Sequence, residues 1–97
     1  MILSLDLDND ALYGGLDRPI LAGKRTLTAA PEDAMAVMSH NLTEMDQAGQ
    51  IDRDEVILTG GMAIWAYLVV FHFLHGKTNR IVYLDGRGQR VLVAAHG

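Results

Sequence analysis

Glu55-Val56-Ile57-Leu58-Thr59-Gly60-Gly61-Met62-Ala63-Ile64-Trp65 holds the change of pattern that decides the fold. Val56-Ile57-Leu58 is a continuous apolar run of strand length, as expected of a strand buried on both faces. Two glycines follow at once. Residues 62–75 are then apolar nearly all round, which predicts a mostly buried helix, ended by Gly76. Arg80–Leu84 reads as a further strand, Asp85-Gly86-Arg87-Gly88 as a turn and Arg90–Ala95 as the last strand. The last two strands therefore form a hairpin.

Upstream, Leu3, Leu5 and Leu7 alternate with Ser4, Asp6 and Asp8, the period of a half-buried strand. Residues 9–15 are turn-like, and residues 19–27 stay open between a loop and a second short strand. Pro31 suits the first position of a helix, where Glu32 and Asp33 complement the positive end of its dipole. Met35, Met38, Leu42 and Met45 then recur at spacings of three and four, one apolar stripe, and Gly49 is a natural stop. The methionines are read as core. The expected class is α/β: two helices covering a small mixed sheet, in a single domain over residues 1–97.

Composition narrows the function classes. With 49% apolar and 21% charged residues and two prolines, the chain is neither disordered nor low-complexity. Cysteine is absent, so neither a disulfide framework nor a thiolate metal cage is available, which fits a reducing, cytoplasmic setting. No signal peptide is expected, because acidic residues interrupt the first ten positions. The longest mostly apolar stretch, residues 62–74, is shorter than the roughly 20 residues a bilayer requires, so no membrane partner is expected. The net charge of −4 hides a split. Residues 1–55 hold eleven acids and four bases, while residues 56–97 hold Asp85 alone against Lys77, Arg80, Arg87 and Arg90. An acidic protein is a poor binder of duplex DNA, yet its basic second half can hold a small anion.

Three features can carry chemistry. Thr59-Gly60-Gly61-Met62-Ala63 joins a strand to a helix, where glycines allow close backbone approach and the first helical N–H groups are free to meet an anion. The dinucleotide fingerprint and the P-loop lysine are both missing, so a tight turn without a ligand explains the segment equally well. His72 and His75 lie three apart on one helix, His75 at its end, with Asp85 the one carboxylate of the second half and His96 closing the last strand. Imidazoles with a carboxylate can hold a divalent ion or transfer protons, although histidines at this spacing are more often structural. Arg87, flanked by glycines on a turn, can reach a phosphate, or serve only as an exposed hairpin tip.

Taken together, Gly60-Gly61-Met62-Ala63-Ile64-Trp65, His72-Phe73-Leu74-His75, Asp85-Gly86-Arg87 and a strand running into His96 resemble the small stand-alone ring nucleases of type III CRISPR systems. The likeness covers roughly residues 56–96. It implies an α/β fold related to the Rossmann-like nucleotide-sensing domains of CRISPR effectors. It further implies a homodimer that stacks into tetramers around cyclic tetra-adenylate, and manganese-assisted cleavage of that messenger. An RNA-trimming activity also belongs to the family. At matching positions the resemblance assigns catalysis, and the metal, to His75 and Asp85. It assigns ligand binding to Thr59, Gly60, Gly61, Met62, Ala63, Trp65, His72, Arg87 and His96. Gly61 and Ala63 stand where the family usually carries Arg and Pro, and Gly76 where it often has a second His.

Three readings follow. The first is a phosphodiesterase that cleaves cyclic tetra-adenylate. The second is a non-catalytic sensor or sponge for the same nucleotide, favoured by the changes at Gly61 and Ala63. The third is an interaction domain in which Trp65, Phe71 and Phe73 are ordinary core.

Overall fold

The computed structural model describes residues 1–96. Its main sheet has four strands, β1 (Ile2–Ser4), β2 (Glu55–Thr59), β3 (Arg80–Leu84) and β4 (Arg90–Ala95), hydrogen-bonded in that order. The β1–β2 and β2–β3 pairs are parallel and β3–β4 is antiparallel. The expected α/β class with a mixed sheet is therefore present. Three helices accompany it: α1 (Asp10–Tyr13), α2 (Pro31–Gln47) and α3 (Ile64–Leu74). Among the described residues no helix is long and apolar enough to cross a membrane.

Local chemistry places these elements. Pro31 opens α2 with Glu32 and Asp33 in its first turn, and Gly49, at φ 73°, follows its end. Met38, Leu42 and Met45 are buried as one stripe, with Ala34 one turn earlier, while Met35 is half-buried. Residues 9–15, expected to be a turn, form one helical turn instead. Asn9 caps it by accepting from the Leu12 N–H, and its own Nδ2 donates to Ser4 O at 2.6 Å. The turn persists because Tyr13 is fully buried and its hydroxyl donates to Leu5 O. Asn41 of α2 also donates to the carbonyls of Leu12 and Gly14, both at 2.9 Å. Residues 19–27 contain two 2-residue strands, Ile20–Leu21 and Lys24–Arg25, which form a separate hairpin and leave the main sheet untouched.

The covalent order explains which faces are covered. Successive parallel crossovers step the same way, from β1 to β2 to β3, and right-handed crossovers of that kind put both helices on one face. Accordingly α2 and α3 pack on each other, over a core that includes Leu3, Val56, Leu58 and Ile81. Two expectations fail for this one reason. The Val56-Ile57-Leu58 strand is not buried on both faces: Val56 and Leu58 are buried, and Ile57 between them is half-buried. Nor is the second helix mostly buried. Ala66, Val70 and Leu74 are, whereas Ile64 is 78% exposed and Leu68 61%. The side of α3 turned away from α2 faces an open groove above β4.

Candidate functional site

The open side of α3 and the exposed strand β4 border an apolar groove of about 510 Å³. Ile64, Tyr67, Leu68 and Phe71 line it from α3, Tyr83 from β3, and Val91 and Val93 from β4, with Met62 at one end. The spacing follows from periodicity: positions 64, 67, 68 and 71 share one helical face, and alternate residues of a strand share one sheet face. Tyr67 and Tyr83 meet edge to face at 5.5 Å between ring centres. The Tyr67 hydroxyl donates to Gly60 O. Burial holds its phenol above the ordinary value, reinforced by Tyr83 and Asp6 nearby.

The carboxyl ends of the parallel strands gather the diglycine turn, Asp6 and the Asp85 turn. Gly60 adopts φ 110°, and a Cβ there would sit 2.8 Å from the Asp6 nitrogen and 3.0 Å from the Leu5 nitrogen. Glycine is required because the turn passes against the backbone that leaves β1. The Gly61 N–H, a candidate anion donor, already donates to Asp6 Oδ1 at 2.7 Å. α3 starts at Ile64, so Met62 and Ala63 precede it, and Thr59 donates to Leu84 O at 3.0 Å. Asp85 is committed in the same way. Its Oδ1 accepts from the N–H groups of Arg87 and Gln89 at 2.9 and 2.8 Å, closing the hairpin turn on which Arg87 is exposed.

His75 lies at the other end of the sheet. It caps the carboxyl end of α3, ahead of β3, and its Nε2 lies 2.9 Å from Nε2 of His96. The His96 N–H donates to Asn79 O at 2.6 Å, which fixes the end of β4 against the start of β3. Phe71 packs beside His75, with ring centres 5.6 Å apart, so the histidine pair adjoins the far end of the groove. His72 is exposed on α3 and is not part of this pair. Trp65 is half-buried against the core and does not line the groove.

Within one chain His75 and Asp85 are not brought together. His75 lies ahead of the amino end of β3 and Asp85 directly follows its carboxyl end, and the five residues of the strand alone span about 15 Å. A manganese ion held by both does not fit a single chain, because metal–ligand bonds are near 2 Å. Among the described residues no group of three or more His, Asp or Glu side chains is placed to hold a metal ion. The structure instead brings together His75 and His96, and Asp6 with Gly61. Asp6 escaped sequence reasoning because its partner lies 55 residues away. Of the groove aromatics, Phe71 reads from the sequence as core, and Tyr67 and Tyr83 carry no sequence signal of a site. Comparison with protein-family models, curated proteins and solved structures yields no match to this chain.

Proposed function

We propose that this chain is a cytoplasmic binder of cyclic tetra-adenylate and a ring nuclease acting on it, terminating type III CRISPR signalling. One observation carries the reading beyond the resemblance. An apolar, aromatic-lined groove of about 510 Å³ runs along α3 from Met62 to Phe71, whose ring packs beside His75. Aromatic side chains stack nucleobases at about 1–3 kcal/mol per base, so Tyr67, Phe71 and Tyr83 suit adenine. The volume suits a ligand of drug size, and a ring of four nucleotides is larger. The ligand would therefore span more than one copy of the chain, in keeping with a two-fold assembly.

Cleavage of such a ring can proceed without water. The ribose 2′-oxygen attacks the adjacent phosphorus and the bond to the 5′-oxygen breaks, leaving a cyclic phosphate and a 5′-hydroxyl. In this proposal His75 accepts the 2′-hydroxyl proton. His96, hydrogen-bonded to it, returns a proton to the departing oxygen. Positioning the oxygen in line supplies much of the acceleration. Asp85 would act on His75 only from a second copy.

A second reading, retention without cleavage, is favoured by two observations: Asp6 already occupies the Gly61 N–H, and Asp85 closes a turn. Incubation with cyclic tetra-adenylate, with and without manganese, distinguishes the two. Linear products that disappear in His75→Ala support the nuclease. A raised melting temperature with intact ligand supports the sensor, since a ligand that binds only the folded state stabilises it. Absence of both products and stabilisation would refute both readings.

A further inference from the structure

We propose that His75 and His96 form a chelating site for a late first-row divalent cation of the Cu²⁺ or Ni²⁺ kind, distinct from the His75–Asp85 manganese site implied by the resemblance. The argument is geometric. The two Nε2 atoms are 2.9 Å apart, and the ring centres are 4.6 Å apart with planes at 75°. Metal–imidazole bonds of about 2.05 Å in adjacent positions, at about 90°, place two nitrogens about 2.9 Å apart. Because an imidazole nitrogen lies about 1.15 Å from its ring centre, the same arrangement separates the centres by about 4.5 Å. Two rings joined end to end by a straight hydrogen bond would have centres about 5.2 Å apart. A tetrahedral angle would spread the nitrogens to about 3.35 Å. The pair is therefore already bent toward the 90° geometry.

That geometry selects the ion. Adjacent positions at 90° belong to the square-planar and tetragonal shells of Cu²⁺ and Ni²⁺, whose preferred ligands include imidazole. Manganese prefers carboxylate and water, and binds more weakly in the same series. Both imidazoles are exposed, so water can complete the shell. The ligands come from different elements, 21 residues apart, and each is anchored. His75 caps α3, and the His96 backbone is tied to Asn79. A bound ion would clasp the end of α3 to the end of β4. The proposal rests on this pair alone, so it stands or falls independently of the nucleotide reading.

The test uses nickel chloride with metal-free protein at pH 7.5, read by calorimetry, with copper followed by electron paramagnetic resonance. One Ni²⁺ per chain is expected, with affinity falling at least tenfold in either His75→Ala or His96→Ala. Affinity should be unchanged in His40→Ala and His72→Ala, and the copper spectrum should show two equatorial nitrogens. Paramagnetic broadening of the His75 and His96 ring protons in the unsubstituted protein reads the same site without any variant. The proposal is overturned if nickel does not bind, if His72→Ala rather than His96→Ala abolishes binding, or if Mn²⁺ binds as tightly as Ni²⁺.

Discussion

At the carboxyl ends of β1, β2 and β3, Asp6 and Asp85 each receive backbone N–H groups, from Gly61 in one case and from Arg87 and Gln89 in the other. At the opposite end His75 and His96 meet each other, exposed, beside Phe71. Both ends hold the residue types that catalytic sites use. At the first, those groups are consumed in holding turns, so their loss falls on stability. At the second, hydrogen-bonding capacity is left over, so loss should leave stability nearly unchanged.

Five substitutions and a pH series probe this contrast. The largest effect is expected from Gly60→Ala, because a Cβ would meet the backbone nitrogens of Leu5 and Asp6 at a backbone angle that side chains rarely adopt. A loss of about 3 kcal/mol or more should appear as a lowered urea midpoint. Asp6→Ala should cost about 1–3 kcal/mol in the same assay, since it leaves the Gly61 N–H without its charged acceptor. Asp85→Ala should cost about 1 kcal/mol, the turn retaining its backbone bond from Asp85 N–H to Gln89 O. His75→Ala should change stability by less than about 0.5 kcal/mol. A drop in midpoint as large as that of Asp6→Ala would erase the distinction between the two ends.

Alkaline pH tests the carboxyl end by another route. Tyr67 holds its proton more tightly in the folded protein than the ordinary value of 10, chiefly because burial disfavours the phenolate. Tyr13 is raised in the same way, burial being the largest cause. Each group's contribution is complete below pH 10, where folded and unfolded states are both protonated. It is lost as pH rises past 10 toward the folded value, because the unfolded chain then releases the proton first. Chemical denaturation between pH 8 and 11 should show stability falling above pH 10, and Tyr67→Phe should make the fall shallower.

Much of this architecture was readable in order along the chain. Pro31 and the Met38–Leu42–Met45 stripe mark α2, the diglycine and Gly76 bound the α3 region, and Asp85-Gly86-Arg87-Gly88 sets the final hairpin. These signals are local. What escaped was decided by neighbours. Ile57 and Ile64 look like core, and the sequence alone cannot show that both helices lie on one face. Asn9 looks like turn chemistry, and only Tyr13 reaching Leu5 O and Asn41 holding Leu12 and Gly14 make its segment helical. The candidate site divides likewise. His75, His96 and Asp85 stood out as residues, but an antiparallel hairpin places the end of its second strand beside the start of its first. That pairs His96 with His75 and carries Asp85 away.

The groove between α3 and β4 is the surface proposed to receive the nucleotide, and backbone and aromatic NMR shifts during titration with cyclic tetra-adenylate address it directly. Saturable changes concentrated at Tyr67, Phe71, Tyr83 and Val93, with α2 and the Ile20–Arg25 hairpin silent, are the predicted result. A spectrum unmoved by excess ligand, or changes confined to α2, would contradict the account.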